Sequence, residues 1–128
     1  MPLWSTATMG NTPLDRFIKL SKKEKDIIFK NAKNAAYAII EGKQATYYAI
    51  AAGVVRLTEA ILFNKKTIFT VSHQISGKFG IKNVSLSLPV VIGAKGVLRD
   101  IDIDISAEEK ALLQQSAKKL QQVEKSLK

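Results

Sequence analysis

The chain contains no cysteine among its 128 residues and only one histidine. Without cysteine it cannot form disulfides, thiol nucleophiles or thiolate metal sites, and this composition suits a reducing compartment. The single histidine leaves only His73 as a candidate for imidazole acid–base chemistry. Because a lone histidine in a predicted strand is more often structural than catalytic, we predict a structural role for His73.

Long hydrophobic runs and nucleotide-binding motifs are also missing. The longest uncharged apolar stretch, 45–55, is shorter than the ~20 residues that a membrane-spanning helix needs. The sequence shows no Gly-x-Gly-x-x-Gly after a strand, no Walker loop and no metal-ligand spacing. We therefore expect a cytoplasmic protein with no metal site and no membrane partner. The residues by themselves indicate no self-contained active site.

Charge is the one compositional outlier, with a formal net charge of +9. Clustered lysines and arginines favour nucleic-acid binding, because they displace counterions from phosphates. Here the basic residues are spread over 19–33, 65–99 and the C-terminal helix, without interleaved aromatic residues or a binding motif. A solvated lysine-rich surface is therefore favoured, and a nucleic-acid partner is not expected.

Three segments have helical patterns. The first opens with Ser21 and Glu24 at capping-box spacing, is predicted to end at Gly42, and has an apolar stripe expected to face inward: Ile28, Ala32, Ala35 and Ile39. The second, Thr46–Phe63, is apolar nearly all round, which predicts a helix buried on most sides. The last is capped by Ser106 and Glu109, and its predicted inward stripe is Leu113, Leu120, Val123 and Leu127.

Between the second and third helices the sequence period changes to two, which predicts strands. "TIFTVSH" is followed by "VSLSLPVVIG", where Pro89 suits an edge strand or a bulge, and "AKG" predicts a hairpin turn. "VLRDIDIDI" then alternates isoleucine with Asp100, Asp102 and Asp104, as in a half-exposed antiparallel strand. Successive carboxylates ~7 Å apart are too distant to share an ion, so this face is predicted to be solvated. The fold class is α+β, with helices packed on a small antiparallel sheet in one domain, 1–128.

Four stretches together cover nearly the whole chain and carry a family resemblance. They are "PLWS", "NAAYAIIEGKQATYYAIAAGVVRLTEAIL", "TVSHQISGKFGIKNVSLSLPVVIGAKGV" and "ISAEEKALLQQSAKKL". These stretches resemble the C-terminal, substrate-binding half of bacterial L-lactate dehydrogenases, within the lactate/malate dehydrogenase family. The resemblance implies an NAD-dependent oxidoreductase of glycolysis that interconverts pyruvate and L-lactate, and a homo-oligomer.

The resemblance also implies roles for four residues. Thr46 matches a threonine that lines the pocket for the substrate's small side chain, Ile50 matches an isoleucine that packs on the nicotinamide ring, and Ala35 and Ala36 match small residues that wall the same pocket. Related malate dehydrogenases tend to have serine and proline at the first two positions, which favours pyruvate over oxaloacetate here. From spacing alone, all four residues would simply pack between helices.

The groups that perform the family's chemistry precede the position that matches Met1. They are the glycine-rich NAD fingerprint, the mobile loop, the carboxylate-binding arginine and the Asp–His pair. We therefore expect the N-terminal NAD-binding domain to be absent, no catalytic residue in this chain, no tight binding of NAD to it alone, and no turnover by it alone. His73 does not match the catalytic histidine, and the family often has glycine where Gln44 stands.

Loss of the NAD-binding half would uncover apolar surface on the second helix, which predicts association. Two alternatives to the dehydrogenase interpretation stay open. One is a non-enzymatic domain kept for oligomerisation or partner binding, and the other, supported only by charge, is a basic nucleic-acid-binding module.

Overall fold

A computed structural model describes residues 2–127 and confirms the α+β class. The three α-helices are α1 (Lys22–Lys43), α2 (Tyr48–Leu62) and α3 (Ala107–Ser126). The strands are β1 (Thr8–Met9), β2 (Thr12–Pro13), β3 (Thr67–Ser76), β4 (Lys82–Gly93) and β5 (Gly96–Asp100), and short 3-10 helices occupy Trp4–Thr6, Leu14–Arg16 and Lys78–Gly80. The chain divides into two compact units, one comprising Pro2 and Trp4–Arg56, the other Leu3 and the residues from Leu57 onward.

The first unit contains the β1–β2 hairpin and α1, whose start is confirmed at the predicted capping box. The Glu24 backbone N–H donates to the Ser21 hydroxyl, and the Ser21 N–H donates to the Glu24 carboxylate at 2.7 Å. Hydrogen bonds from the Ser21 side chain and then its backbone lower the pKa of the Glu24 carboxyl, because both stabilise the charged form. The box therefore satisfies donors that a helix start leaves without partners.

The predicted burial of the first two helices is wrong for this chain. No residue of α1 is buried, and Ile28 and Ile39 of the expected inward stripe are 45% and 47% exposed. On α2, Val54 is 58% exposed, and the only buried residue is Ala60. A helix buries its apolar face only where another element packs on it. The uncovered apolar surface expected for an isolated domain is confirmed.

The second unit is built on a three-stranded antiparallel sheet of order β3-β4-β5. Helix α3 packs on β4, and its capping box at Ser106 and Glu109 is confirmed. One core cluster lies between these elements and consists of Ile75, Ile81, Val84, Leu86, Leu88, Leu113 and Ala117. A second cluster joins Ala60 of α2 to Val90 and Ile92 of β4. The sheet therefore buries apolar side chains against two helices, α3 in the first cluster and α2 in the second.

Only the first half of α3 follows the predicted stripe. Leu113 is buried as expected, and Ala117, which was not predicted, is buried with it. Leu120, Val123 and Leu127 are exposed, so their predicted burial is wrong. Two side-chain amides hold the helix to the preceding segment, since Gln114 donates to the Phe79 carbonyl and Gln121 to the Lys82 carbonyl, each at 2.8 Å. The stripe is thus buried in the first half of α3 and exposed from Leu120 onward, although Gln121 still contacts the Lys82 carbonyl.

Pro89 lies in the central strand, which corrects the prediction of an edge or bulge position. The Ile101 N–H donates to the Pro89 carbonyl at 3.0 Å, so the Pro89 backbone faces β5 and not β3. The ladder to β3 therefore needs no N–H from residue 89, because both polar groups of one residue point to the same side of an antiparallel strand. On the β5 side, the N–H that Pro89 lacks would have donated to the Ile101 carbonyl. The regular ladder between β4 and β5 ends there.

Regular pairing of β5 stops at Asp100, so the predicted strand over "VLRDIDIDI" is too long. The alternation persists beyond it, with isoleucines at 101, 103 and 105 half-buried and aspartates at 102 and 104 exposed. The Ile101 carbonyl, which would accept a bond from the N–H that Pro89 lacks, accepts one from the Lys78 ammonium instead. Lys78 thus supplies the donor that proline removes.

Replacing Lys78 by Met should destabilise the chain by about 1–2 kcal/mol, because the apolar stem is kept while the partly buried Ile101 carbonyl loses its donor. Urea unfolding followed by circular dichroism measures this. The matched control is Lys95→Met, at an exposed lysine of the β4–β5 turn, which should change the free energy of unfolding by less than about 0.5 kcal/mol. Equal effects of the two substitutions would contradict the role of Lys78.

Candidate functional site

The connection between α1 and α2 is set by one residue in a left-handed conformation. Gln44 has φ 60° and ψ 5°, and its N–H donates to the Ile40 carbonyl at 2.7 Å. Helix α1 therefore runs past Gly42 and ends at Lys43, which corrects the predicted end by one residue. Only glycine adopts this backbone region without steric cost, so the left-handed conformation of Gln44 is strained.

Thr46 and Ile50 flank the start of α2. Thr46 is half-buried and lies just before the helix, and Ile50 lies in the first turn with 63% of its surface exposed. The first helical hydrogen bond runs from the Ala51 N–H to the Tyr47 carbonyl at 2.8 Å. The rings of Tyr47 and Tyr48, between the two candidate residues, have centroids 4.8 Å apart. The start of α2 thus presents one short hydroxyl side chain and one aliphatic side chain within about one turn.

Ala35 and Ala36 lie on α1, and both are exposed. At ~1.5 Å rise per residue they are roughly 10 Å along the helix from its end. All four candidate residues belong to the same compact unit, because Trp4–Arg56 includes both α1 and the start of α2. The methyl side chains of Ala35 and Ala36 leave open space above α1, which is what a pocket wall requires.

The chemistry of these four side chains is limited to shape and polarity. None of them ionises, so they can bound a pocket and exclude water but cannot transfer a proton at neutral pH. The exposed aliphatic surface of Ile50 fits one face of a flat nicotinamide ring, whereas a glycine-rich loop for the cofactor's phosphates is missing from the sequence. The residues therefore suit NAD as one wall of its site only.

Residues 2–127 contain no group of three or more His, Cys, Asp or Glu side chains that could hold a metal ion. No helix in that range is long and apolar enough to cross a membrane.

Sequence reasoning missed a contact between His73 and Asp100, which are distant in the chain. His73 Nε2 donates to Asp100 Oδ1 at 2.8 Å, and its Nδ1 lies 3.3 Å from the Val71 carbonyl. Each ring nitrogen of His73 therefore faces an oxygen acceptor. The pair lies in the second compact unit, whereas the four candidate residues lie in the first. His73 lies on β3 and Asp100 on β5, the two strands that pair with opposite sides of β4.

Residues 1–128 match the family described as lactate/malate dehydrogenase, alpha/beta C-terminal domain. The chain belongs to this family. Among curated relatives, the L-lactate dehydrogenase of Thermoanaerobacter pseudethanolicus is 42% identical over 125 residues, which cover 94% of this chain and 40% of the relative. The L-lactate dehydrogenase of Shouchella clausii is 37% identical over 131 residues, covering 99% of this chain and 40% of that relative.

Solved structures of the lactate/malate dehydrogenase family share the fold. The minor L-lactate dehydrogenase of Enterococcus mundtii, in its ligands-bound form, has a TM-score of 0.90 at 32% identity, over 98% of this chain and 41% of that chain. The malate dehydrogenase of Aeropyrum pernix has a TM-score of 0.82 at 27% identity, over 95% and 40%. The chain thus spans about 40% of the length of the relatives it matches.

Gln44→Gly should stabilise the chain by about 1 kcal/mol, because glycine removes the cost of the left-handed conformation. A glycine introduced three residues earlier, by Glu41→Gly, should destabilise the chain by about 1 kcal/mol, because residue 41 lies inside α1. Thermal unfolding of the two variants measures both effects. Destabilisation by Gln44→Gly would contradict the left-handed cap at the entry to Thr46.

Proposed function

We propose that the chain is the substrate-binding C-terminal domain, 1–128, of an NAD-dependent L-lactate dehydrogenase that reduces pyruvate to L-lactate with NADH. The observation that carries this proposal is the pairing of Thr46 with Ile50 at the start of α2, in a chain that matches the family over its whole length. The similar curated proteins named above are L-lactate dehydrogenases, which supports the same chemistry. When bound, the nicotinamide supplies the hydride.

In this proposal the chain's own residues shape the pocket. Thr46 limits the volume open to the substrate's methyl group, because its side chain is short but branched. Ile50 covers the nicotinamide side of the pocket with aliphatic surface and keeps water away from it. Ala35 and Ala36 leave room for the substrate on the α1 side. Thr46 together with Ile50 favours pyruvate over oxaloacetate.

The remaining functions belong to the part of the enzyme that this chain does not span. Reduction of a ketone needs a proton donor and a cofactor held in place, and none of the four candidate residues ionises. The proposed partner is therefore an N-terminal NAD-binding half, and the chain alone binds NAD weakly and is inactive. A cytoplasmic location and a homo-oligomer complete the proposal, and the exposed apolar surface of α2 is compatible with assembly.

The proposal predicts activity once the missing part is supplied. In the test, this chain replaces the matched segment of the Thermoanaerobacter relative, and NADH oxidation is followed with pyruvate and with oxaloacetate. We expect the chimera to turn over pyruvate with kcat/KM at least about tenfold above that for oxaloacetate. The relative itself is the positive control, and the chain alone should be inactive.

Three outcomes would contradict the proposal. A folded chimera without activity would favour a domain kept only for oligomerisation or partner binding. A preference for oxaloacetate would favour a malate dehydrogenase. Activity of the chain alone would show that the proton donor and cofactor site lie in 1–128 after all.

In the chimera, Ile50→Ala should raise the KM for NADH about tenfold, which corresponds to ~1.4 kcal/mol of lost apolar contact. The matched control is Val54→Ala, one turn further along α2 and 58% exposed in this chain. It should change the KM for NADH by less than about twofold, because the proposal places no cofactor contact there. Equal effects of the two substitutions would remove Ile50 from the cofactor site.

A further inference from the structure

We propose that α1 is a membrane-surface helix, which lies along anionic lipid bilayers with its apolar stripe in the headgroup region. Lysines beside the stripe then contact the lipid phosphates and carboxylates. The expectation of no membrane partner rested on spanning length, which a helix in the plane of the interface does not need. The inference does not rest on the proposed dehydrogenase function, and its test contains no activity measurement.

The charge around the start of α1 is the first observation. Residues 16–33 contain seven lysines and arginines and two acids, which gives a net charge of +5. One of the two acids, Glu24, is engaged in the capping box with Ser21. Each lysine that approaches an anionic bilayer adds to the attraction. This segment therefore fits a surface of negative charge.

Apolar side chains are exposed along the same segment. No residue of α1 is buried, and Ile28 and Ile39 in its stripe are among the exposed large hydrophobic residues. Just before the helix, Phe17 and Ile18 are each more than half exposed. Exposed hydrocarbon beside lysines favours a bilayer over a nucleic acid, because a nucleic acid offers phosphates but no acyl chains.

The angular positions of the lysines complement such a bilayer. At ~100° per residue, Lys25 and Lys43 lie about 50° from the centre of the stripe, one near each of its ends. Lys23 and Lys30 lie about 150–170° away, on the opposite side of α1. A helix resting on its stripe therefore brings the first pair to the headgroups, where long lysine stems let the ammonium groups reach phosphates. The second pair stays in water.

Trp4 lies next to this basic segment. The Lys25 ammonium is 5.7 Å from the centroid of the Trp4 ring, and both residues belong to the first compact unit. Tryptophan favours the boundary between hydrocarbon and water, because its ring is apolar and carries one polar N–H. Trp4 is the only tryptophan in the chain, so its fluorescence reports lipid contact at this place.

The stripe overlaps the pocket wall of the proposed dehydrogenase, because Ala35 belongs to both. A bilayer and a complementing N-terminal half therefore exclude each other on α1. The inference concerns this chain by itself, and the chain alone is the protein to test.

Flotation with vesicles tests the proposal, because vesicles rise in a density gradient whereas protein aggregates sink. With vesicles of about one-third phosphatidylserine in phosphatidylcholine at ~0.15 M salt, the chain should float and the Trp4 emission should shift to shorter wavelength. Phosphatidylcholine vesicles should bind at least about tenfold more weakly, since their net charge is zero. A chain that floats with neither kind of vesicle, or equally with both, would overturn the proposal.

Two adjacent isoleucines offer a matched pair of substitutions. Ile28 lies in the stripe, whereas Ile27, which is 49% exposed, lies about 110° from its centre. Ile28→Gln should weaken binding to the anionic vesicles at least about tenfold, because an apolar side chain is lost from the lipid. Ile27→Gln should weaken it less than about threefold. Glutamine is a good helix former, and circular dichroism checks that α1 is kept. Equal losses would contradict insertion of the stripe.

Two pairs of lysines separate an oriented contact from general attraction. The double variant Lys25→Gln/Lys43→Gln should weaken vesicle binding at least about tenfold. Lys23→Gln/Lys30→Gln has the same net charge but should weaken binding less than about threefold, because salt screens charges on the side turned to water. If the two double variants lost equal affinity, the contact would not be oriented and the proposal would fail.

A DNA duplex is the probe for the alternative partner. At equal phosphate concentration it should leave the chain on the anionic vesicles, because DNA replaces the lysine contacts but not the burial of the stripe. Displacement of the chain by DNA would show that charge alone carries the binding. That result would overturn the assignment to a bilayer and favour a nucleic-acid partner.

Discussion

Burial of strand β4 is the constraint on which the rest of the described structure depends. Leu88 and Val90 are the fully buried large side chains among the described residues, at 1% and 0% exposed. Leu88 belongs to the cluster closed by α3, and Val90 to the cluster closed by Ala60 of α2. Both helix contacts therefore rely on the same strand, which is also paired on its two sides. A change that weakened β4 would loosen both clusters at once, because well-packed interiors transmit local distortion.

Pro89, between those two side chains, shows how the strand tolerates a residue that central strands usually avoid. Its backbone faces the side where the ladder is already ending, so the missing N–H falls on the β5 side and not within the ladder to β3. The Lys78 ammonium then satisfies the carbonyl left over at Ile101. A buried or half-buried acceptor without a partner is costly, and a nearby lysine removes that cost without requiring another strand.

The candidate site has the properties of a partial wall. Thr46 is half-buried, while Ile50 and the two alanines are exposed, so their surfaces remain open in this chain. The chain spans about 40% of the length of the L-lactate dehydrogenases that it matches, and under the proposed function these open surfaces would face the part of the enzyme that it does not span. Shape and polarity are what such a wall contributes, because the reacting proton and the cofactor contacts require groups that these four residues do not carry.

Local patterns by themselves determined the starts of α1 and α3, the strand alternation and the hairpin at "AKG", because capping boxes, periodicity and turn residues act over a few neighbouring positions. The second helix, predicted from Thr46, begins at Tyr48. They also determined the family, through stretches that cover most of the chain. Burial was not predictable in this way: the apolar patterns of α1, α2 and late α3 signal a tendency to be covered, whereas actual burial depends on which elements are there to cover them. The His73–Asp100 contact, the central place of Pro89 and the role of Lys78 were decided only by tertiary structure. Each of them depends on residues far apart in sequence, which the order and pairing of the strands bring together.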